Sequence, residues 1–584
     1  MLQIISGKFF KDGSRRQNLV RGSLYSNMRP PWHCERIETV AGTLLPSTDL
    51  RGLHTLCYEV VEQYEGAKEA GIIASVGADP FLKDFASIVS LALNVICTPD
   101  PDLLRRLIGD QPLSPNSISP PRKYVGRVFE AEVNVSDVEL DEFKEFVRQL
   151  IGLKRNHYLA AIGAIRTYAT GLHRIGDDVD LAYTLLVASI ESLARGFDGV
   201  APKWEDYDDR KRSAVDDALN GTSQIVKKRV QEALLKYEHI GLARRFRSFA
   251  LENLAPSYFR EEAFGQVRPV GKADLIEAVS QAYAIRSRYV HTLTPVPKQI
   301  SHVWDLGDTA NYEGSLVLTL HGLTRLARHL ILAFVCNSPK IEKEDYQYQD
   351  DFPNVVTVEM APQYWVWKHE GFQSSGARRK LGGFFELVVP IQQSLPHAAL
   401  TDIRDLLRKY ERLMPRAIAS HRLPMVALYA LFHLLVREED RLPDSARLVE
   451  RYEDLLQFPS LEGLGLRFAL ARDVEWPAAA VAALYQGYYK QKYKKNGLKL
   501  PTLYEAAFAL ALAEAYRKEG DLPNATETLV SGIDNQPKIG AIQTALAALN
   551  ASDRAPISWQ ALLLPQLKIE PDESNGTVSV TLES

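Results

Sequence analysis

Apolar residues along this chain recur mostly at a helical period, and the longest such stretch lies between residues 150 and 340. "DEFKEFVRQLIGLKRNHYLAAIGAIRTYATGL" opens it, and "DVDLAYTLLVASIESLARGF" follows, with aspartates at its start and Gly196 near its close. Next come "SQIVKKRVQEALLKYEHIGLARRFRSFALENL" and "KADLIEAVSQAYAIRSRYVH", and last "GSLVLTLHGLTRLARHLILAFVC". Each reads as a helix, and together they predict a helical bundle. Residues 1–149 are mixed. "LQIISGKFF" and "FEAEVNVSDVEL" have strand composition, and "PFLKDFASIVSLALNVI" reads as a helix. "TPDPDLLRRLIGDQPLSPNSISPPRKY", broken by prolines and serines, reads in part as a loop. Residues 341–375, with "VVTVEMAPQYWVWK", predict an extended linker or a small β element. Helical periodicity returns over 376–560, and the tail 561–584 reads as poorly ordered or edge-like. The expected class is mainly α, with a mixed α/β N-terminal region, a central helical bundle and a C-terminal α-solenoid.

The solenoid reading rests on "ALALAEAYRKEGDLPNATETLVSGIDNQP", which resembles a tetratricopeptide unit. Leu512, Ala513, Tyr516, Ala525, Leu529, Gly532 and Pro537 fall at that family's spacing, and Ala509 stands where it often has an aromatic residue. "REEDRLPDSARLVERYEDLLQFP" is a looser echo, one residue out of register. Solenoids mostly present binding surfaces, so a partner protein is expected there.

Composition narrows the function classes. The 584 residues are 46% hydrophobic and 24% charged, with a net charge of −4. No global basic field advertises nucleic-acid binding, so such a surface must be local. Cys34, Cys57, Cys97 and Cys336 are scattered without a CxxC, which points to no zinc site and no disulfide framework, and to a reducing cytoplasm. The start lacks the apolar core of a signal peptide. The most apolar stretch carries His321, Arg325, Arg328 and His329, so it reads as a buried helix and no membrane association is expected. No Gly-rich phosphate loop, HExxH or nucleophile elbow occurs.

Two Arg-x4-His pairs stand out, Arg286/His291 and Arg416/His421. The second lies between Pro415 and Pro424 and reads as a surface connector. The first closes a helix whose apolar residues Leu275, Ile276, Val279, Tyr283, Ile285, Tyr289 and Val290 form a broad face. Five residues of regular helix leave two side chains about 140° apart. Arg286 and His291 therefore converge only if the helix ends or bends at His291, which Thr292, Thr294, Pro295 and Pro297 favour. Glu191 lies in the middle of an apolar helix and needs a partner, with Arg286 or Arg288 the candidates. Residues 225–260 hold Lys227, Lys228, Arg229, Lys236, Arg244, Arg245, Arg247 and Arg260 against three glutamates, a net of +5. That run is either a phosphate-attracting patch or a solvated helix face. "QGYYKQKYKK" mixes tyrosines and lysines as single-strand binders do, although helix packing with extended lysines explains it as well.

"AYAIRSRYVH" resembles the signature of the HEPN superfamily in its Apea-like branch. There an Arg, a polar residue (here Ser287), three more residues and a His close the last core helix. "YTLLVASIESLARGF" is similar to that branch's earlier helix with an acid among apolar residues. "RNHYLAAIGAIRTYATGLHRIGDDVDLAYTLL" also has the family's look. The likeness covers about residues 150–340. Thr292 follows the His where the branch often has Gly. The resemblance implies a metal-independent endoribonuclease, often a toxin or antiviral effector, that works as a dimer with both signature helices in one cleft. It implies Arg286 and His291 as catalytic, with Glu191, Ser287 and Arg288 supporting and no cofactor. The chemistry is coherent. RNA carries its own 2′-OH nucleophile, His titrates near neutrality, and Arg offers a fixed fork of donors to phosphate. The alternatives are a non-catalytic scaffold, in which Arg286 and Glu191 hold the bundle together and His291 caps the helix, and a sensor whose flanking regions recognise a partner.

Overall fold

The structure, a computed structural model, describes residues 1–11, 15–48, 54–65, 77–109, 120–197, 204, 209–237, 242–301, 306–352, 355–356, 358–552, 555–565 and 582–583. The chain is mainly α, with an α/β N-terminal region. It divides into two compact units, Met1–Thr357 and Val358–Ser584.

The first unit starts with α1 (Leu2–Ile5), then β1 (Arg15–Ser26), β2 (Ile37–Thr39), β3 (Gly42–Thr48) and β4 (His54–Glu65). Helix α2 (Asp79–Leu93) and β5 (Cys97–Thr98) follow. The five strands form an antiparallel sheet in the order β2-β3-β4-β1-β5. Strand β4 alternates as a half-covered strand must: Leu56, Tyr58 and Val60 are buried, while Val61 is exposed. The rings of Tyr58 and Phe85 stack at 4.4 Å, which brings α2 over the sheet.

Then come α3 (Asp137–Gly152), α4 (Arg155–Arg174), α5 (Val179–Phe197), α6 (Gln224–Tyr237), α7 (Leu242–Glu252) and α8 (Lys272–Thr292). The hairpin β6 (Thr309–Tyr312) and β7 (Ser315–Leu318) leads to α9 (Leu320–Asn337). Ser136 and Glu139 form a capping box that starts α3. Arg328 of α9 donates to the carbonyls of Leu91 and Ala92 at 2.7 and 2.6 Å, so a cation closes the C-terminus of α2. One hydrophobic core runs from Leu2 to Val335. The expected boundary at 149/150 therefore does not separate two cores, because α2 packs on α3 and α4.

Several expected elements differ. "LQIISGKFF" begins with α1 and not with a strand. Leu2, Ile4 and Ile5 are all buried, without alternation, and Gln3 donates to the Ile151 carbonyl at 3.0 Å. The first bundle helix is two helices, broken at Leu153–Lys154. "FEAEVNVSDVEL" supplies only Val133–Asn134 as strand before α3 begins. The expected helix from Gly314 starts as β7, because Glu313 and Gly314 both take positive φ (48° and 79°) and turn a tight hairpin. Gly322 in the first turn of α9 has no room for a side chain: a Cβ there would lie 2.1 Å from the Asp308 carbonyl oxygen. Residues 341–375 form no strand among the described residues. They make short 3-10 turns at Tyr348–Asp351, Pro362–Tyr364 and Ser374–Gly376, and the boundary between the units falls within them.

The second unit holds α10 (Ala377–Gln392), α11 (Arg404–Leu413), α12 (Ala419–Leu435), α13 (Ser445–Gln457), α14 (Leu461–Ala469), α15 (Ala478–Gln491), α16 (Thr502–Lys518), α17 (Leu522–Asn535) and α18 (Gly540–Ala551). Helices α16 and α17 form the pair expected from the tetratricopeptide likeness. Gly520 turns between them at φ +81°, and Asp521 caps α17. Ala509 and Gly532 face each other so closely that a Cβ on Gly532 would lie 2.8 Å from that of Ala509. An aromatic residue at 509 does not fit that approach. The expected tail lies largely outside the described residues, as do residues 110–119 of the proline-rich loop.

Among the described residues no helix is long and apolar enough to cross a membrane, and no cluster of His, Cys, Asp and Glu could hold a metal ion.

Candidate functional site

Helix α8 buries Leu275, Ala278, Val279, Ala282 and Ile285, and it packs on α5, α7 and β7. Its apolar face is narrower than expected: Ile276 and Val290 are about half exposed. The helix also does not end at His291. Thr292 remains helical, its hydroxyl donating to the Arg288 carbonyl at 2.7 Å, and Leu293 takes the left-handed cap at φ 54°. The proline segment is then tied back to α5, where Asp180 accepts from the Val296 N–H at 2.7 Å. Arg286 and His291 consequently point to different sides of one regular helix. His291 is exposed. The expected convergence within one chain does not occur.

Arg286 turns inward instead. Its Nη2 lies 2.8 Å from a Glu191 carboxylate oxygen, with the side chains 17% and 4% exposed. Glu191 thus has its partner, and Arg286 is the one of the two candidates that supplies it. Arg288 is exposed. The guanidinium lies 5.9 Å from the ring centre of Tyr283, which packs at 5.4 Å on Phe246 of α7. The Arg286 Nε is buried without a hydrogen-bond partner. Ser287 is half-buried beside it.

The basic run divides in two. On α6, Lys227 lies 3.3 Å from Asp216, and Lys228 lies 4.0 Å from Glu232. Arg229 is exposed there, and Lys236 belongs to the same helix. Asp216, in helix Asp209–Ala218, also accepts from Trp204 and Gln231, so α6 carries its own counter-charge. Helix α7 is the part that reaches the site, because it packs on both α5 and α8. Arg244 and Arg245 are half-buried on it and Arg247 is exposed. Arg260 lies in the short helix that follows.

Sequence reading passed over the other side of this helix end. "GDDVD" was taken only as a helix start. In the fold, burial pushes the Tyr289 hydroxyl up, and Asp178 and Asp180 add to that, so two acids stand near the end of α8. The other pair behaves as a connector: Arg416 sits in a 3-10 turn, and His421, in α12, meets the Ser374 hydroxyl at 3.2 Å. The tyrosine–lysine segment is packing. Tyr485 and Tyr488 are buried against Phe508, and Tyr488 and Lys492 both donate to buried Glu505.

Compared with family models, curated proteins and solved structures, the chain matches none.

Proposed function

We propose that the first unit is a metal-independent endoribonuclease of the HEPN type, acting in the cytoplasm as a toxin or antiviral effector. The observation that supports this most is the state of Arg286. It is a nearly buried guanidinium with donors left uncommitted, on the same helix as an exposed His291 and beside the arginines of α7. A buried unused donor costs about 1–3 kcal/mol, and a phosphate would remove that cost. In the reaction His291 takes the proton from a ribose 2′-OH. The 2′-oxygen attacks the adjacent phosphorus, the bond to the 5′-oxygen breaks, and that oxygen leaves protonated. Arg286 neutralises the charge developing on the phosphate, and Glu191 fixes its guanidinium. Because the two side chains diverge along one helix, the working site is composite. His291 of one copy meets Arg286 of a second across a two-fold axis. The second unit binds a partner protein that regulates the nuclease.

Purified protein incubated with total RNA tests this directly. Cleavage should persist in chelator, fail on DNA of the same sequence and leave 2′,3′-cyclic phosphate ends. It should weaken as salt rises. His291→Ala should abolish it without altering the fold. A magnesium-dependent activity that leaves 5′-phosphates sinks the proposal. The second reading, a non-catalytic scaffold, is favoured by the depth of the Glu191–Arg286 pair. It requires that His291→Ala change nothing measurable.

A further inference from the structure

A half-open cavity of about 850 Å³ lies among α12, α13 and α14 in the second unit. That is within the range of small-ligand sites, roughly 300–1,000 Å³. Its apolar lining includes Leu434, Val449, Leu456, Leu466 and Leu470. One polar group in it is out of place. His433 lines the cavity, is 5% exposed, and neither ring nitrogen has a hydrogen-bond partner. The rings of Tyr429 and Phe432, at 4.5 and 5.4 Å, pack edge-on against it. Burial pushes the His433 pKa down to about 4, and Arg441 pushes it the same way. Near neutral pH the ring is therefore uncharged, with one donor and one acceptor unused.

The charges around the cavity are arranged by sign. Arg441, close enough for its charge to act on His433, makes only a long contact of 3.4 Å to the Val436 carbonyl. Arg467 is already committed to the Leu456 and Gly463 carbonyls at 3.2 and 3.3 Å and to the ring of Trp476. Glu450 and Glu453 lie one turn apart on α13, exposed, and neither forms an ion pair among the described residues. At 1.5 Å per residue they sit roughly 7–12 Å beyond the start of α13. An extended chain covers about 10 Å in three residues. A single amino acid, whose ammonium and carboxylate share one carbon, does not span that separation.

We propose that this cavity binds a short apolar peptide with free termini. Its carboxylate meets Arg441 and the His433 N–H, its side chains lie on the leucines, and its ammonium meets Glu450 and Glu453. The binding is independent of the nuclease reading, since it uses only the second unit.

Calorimetric titration of the full chain with trileucine tests it, beside N-acetyl-trileucine and trileucine amide. Trileucine should bind saturably, and each blocked form about tenfold more weakly, the worth of one charge-assisted hydrogen bond. His433→Phe keeps the ring volume and removes the idle nitrogens, so it should abolish binding without lowering the unfolding midpoint. Arg441→Gln, on an exposed side chain, should make trileucine and its amide bind alike. Three outcomes overturn the proposal: no saturation by trileucine at millimolar concentration, equal binding by His433→Phe, or equal binding of the acid and amide by wild type. Capture of only a longer partner segment overturns it also, in favour of a protein-docking groove.

Discussion

Arg325 and Arg286 lie in the same unit, each beside a buried carboxylate, and they use their donors differently. Arg325 gives hydrogen bonds to both oxygens of Asp308 and to the Tyr258 carbonyl, and stacks 3.8 Å from the Tyr258 ring centre. Asp308, 1% exposed, also accepts from the Val270 N–H at 2.8 Å. That cluster is closed. It fastens the hairpin loop to α9, where Thr319 donates from its backbone to the Asp308 carbonyl. Arg286 meets Glu191 and leaves its Nε idle. Two histidines repeat the contrast. His329 has Nδ1 at 2.6 Å from Glu262, and its Nε2 accepts from the Ala255 N–H at 3.1 Å. His433 has neither nitrogen engaged. Idle groups are not confined to these places, since the hydroxyls of Tyr158, Tyr168 and Tyr410 are also buried and unpaired. A lone hydroxyl is cheap to leave so. An imidazole or a guanidinium with several donors costs more, and it marks a position where a ligand could complete the set.

The largest effect should come from breaking the closed cluster. Arg325→Met leaves Asp308 as an unpaired buried charge and should cost about 3–5 kcal/mol, read as a lowered urea midpoint. Arg286→Met should cost less, about 1–3 kcal/mol, because one contact is lost and not four. The double variant Arg286→Met/Glu191→Gln should recover most of it, while RNA cleavage is lost in both. Equal destabilisation by Arg325→Met and Arg286→Met would erase the distinction between the two pairs. A smaller change should appear in acid. His433 has a folded pKa near 4, below its ordinary value, so the unfolded chain takes the proton first as pH falls. Stability from this group is present above about pH 6.5 and is lost toward pH 4. His433→Phe should therefore lose less stability than wild type between those values in paired unfolding curves. A parallel decline in both proteins contradicts the burial assigned to the ring. His173 behaves similarly in the first unit, with burial holding it near pKa 4, so the wild-type decline should not vanish entirely. Leu293→Gly should add about 1 kcal/mol by relieving the left-handed cap, visible as a raised melting temperature. Smallest of all, His291→Ala and His421→Ala should each shift stability by less than about 0.5 kcal/mol. Only the first should affect cleavage.

The two units also differ in how far local pattern carried. In the pair α16–α17 the chain signals agree with the packing. Gly520 and Asp521 mark the turn, and Ala525, Leu529 and Gly532 mark the buried face. In α5, an acid within an apolar run pointed to a buried ion pair, and the pair exists with Arg286. At α1 the pattern misled, because four buried residues in one short turn look like a strand when nothing says what surrounds them. The end of α8 misled for a related reason. Thr292 and the prolines argue for an early stop, but a hydroxyl bond to the Arg288 carbonyl and a left-handed Leu293 extend the helix past His291.

By itself the sequence determined the mainly helical class, the helix pair near the C-terminus and the need of Glu191 for a cationic partner. These follow from spacing within about one helical turn or from the cost of burying a charge. Only the tertiary structure decided the rest. The N-terminal sheet shares one core with the helices that follow it, since α2 lies over the sheet and against α4. Arg325 is sealed while Arg286 is left open, and His433 comes to rest in a cavity with nothing to bond. Each of these depends on residues tens to hundreds of positions apart. Which donors find acceptors across such distances is fixed by packing, and no local period along the chain records it.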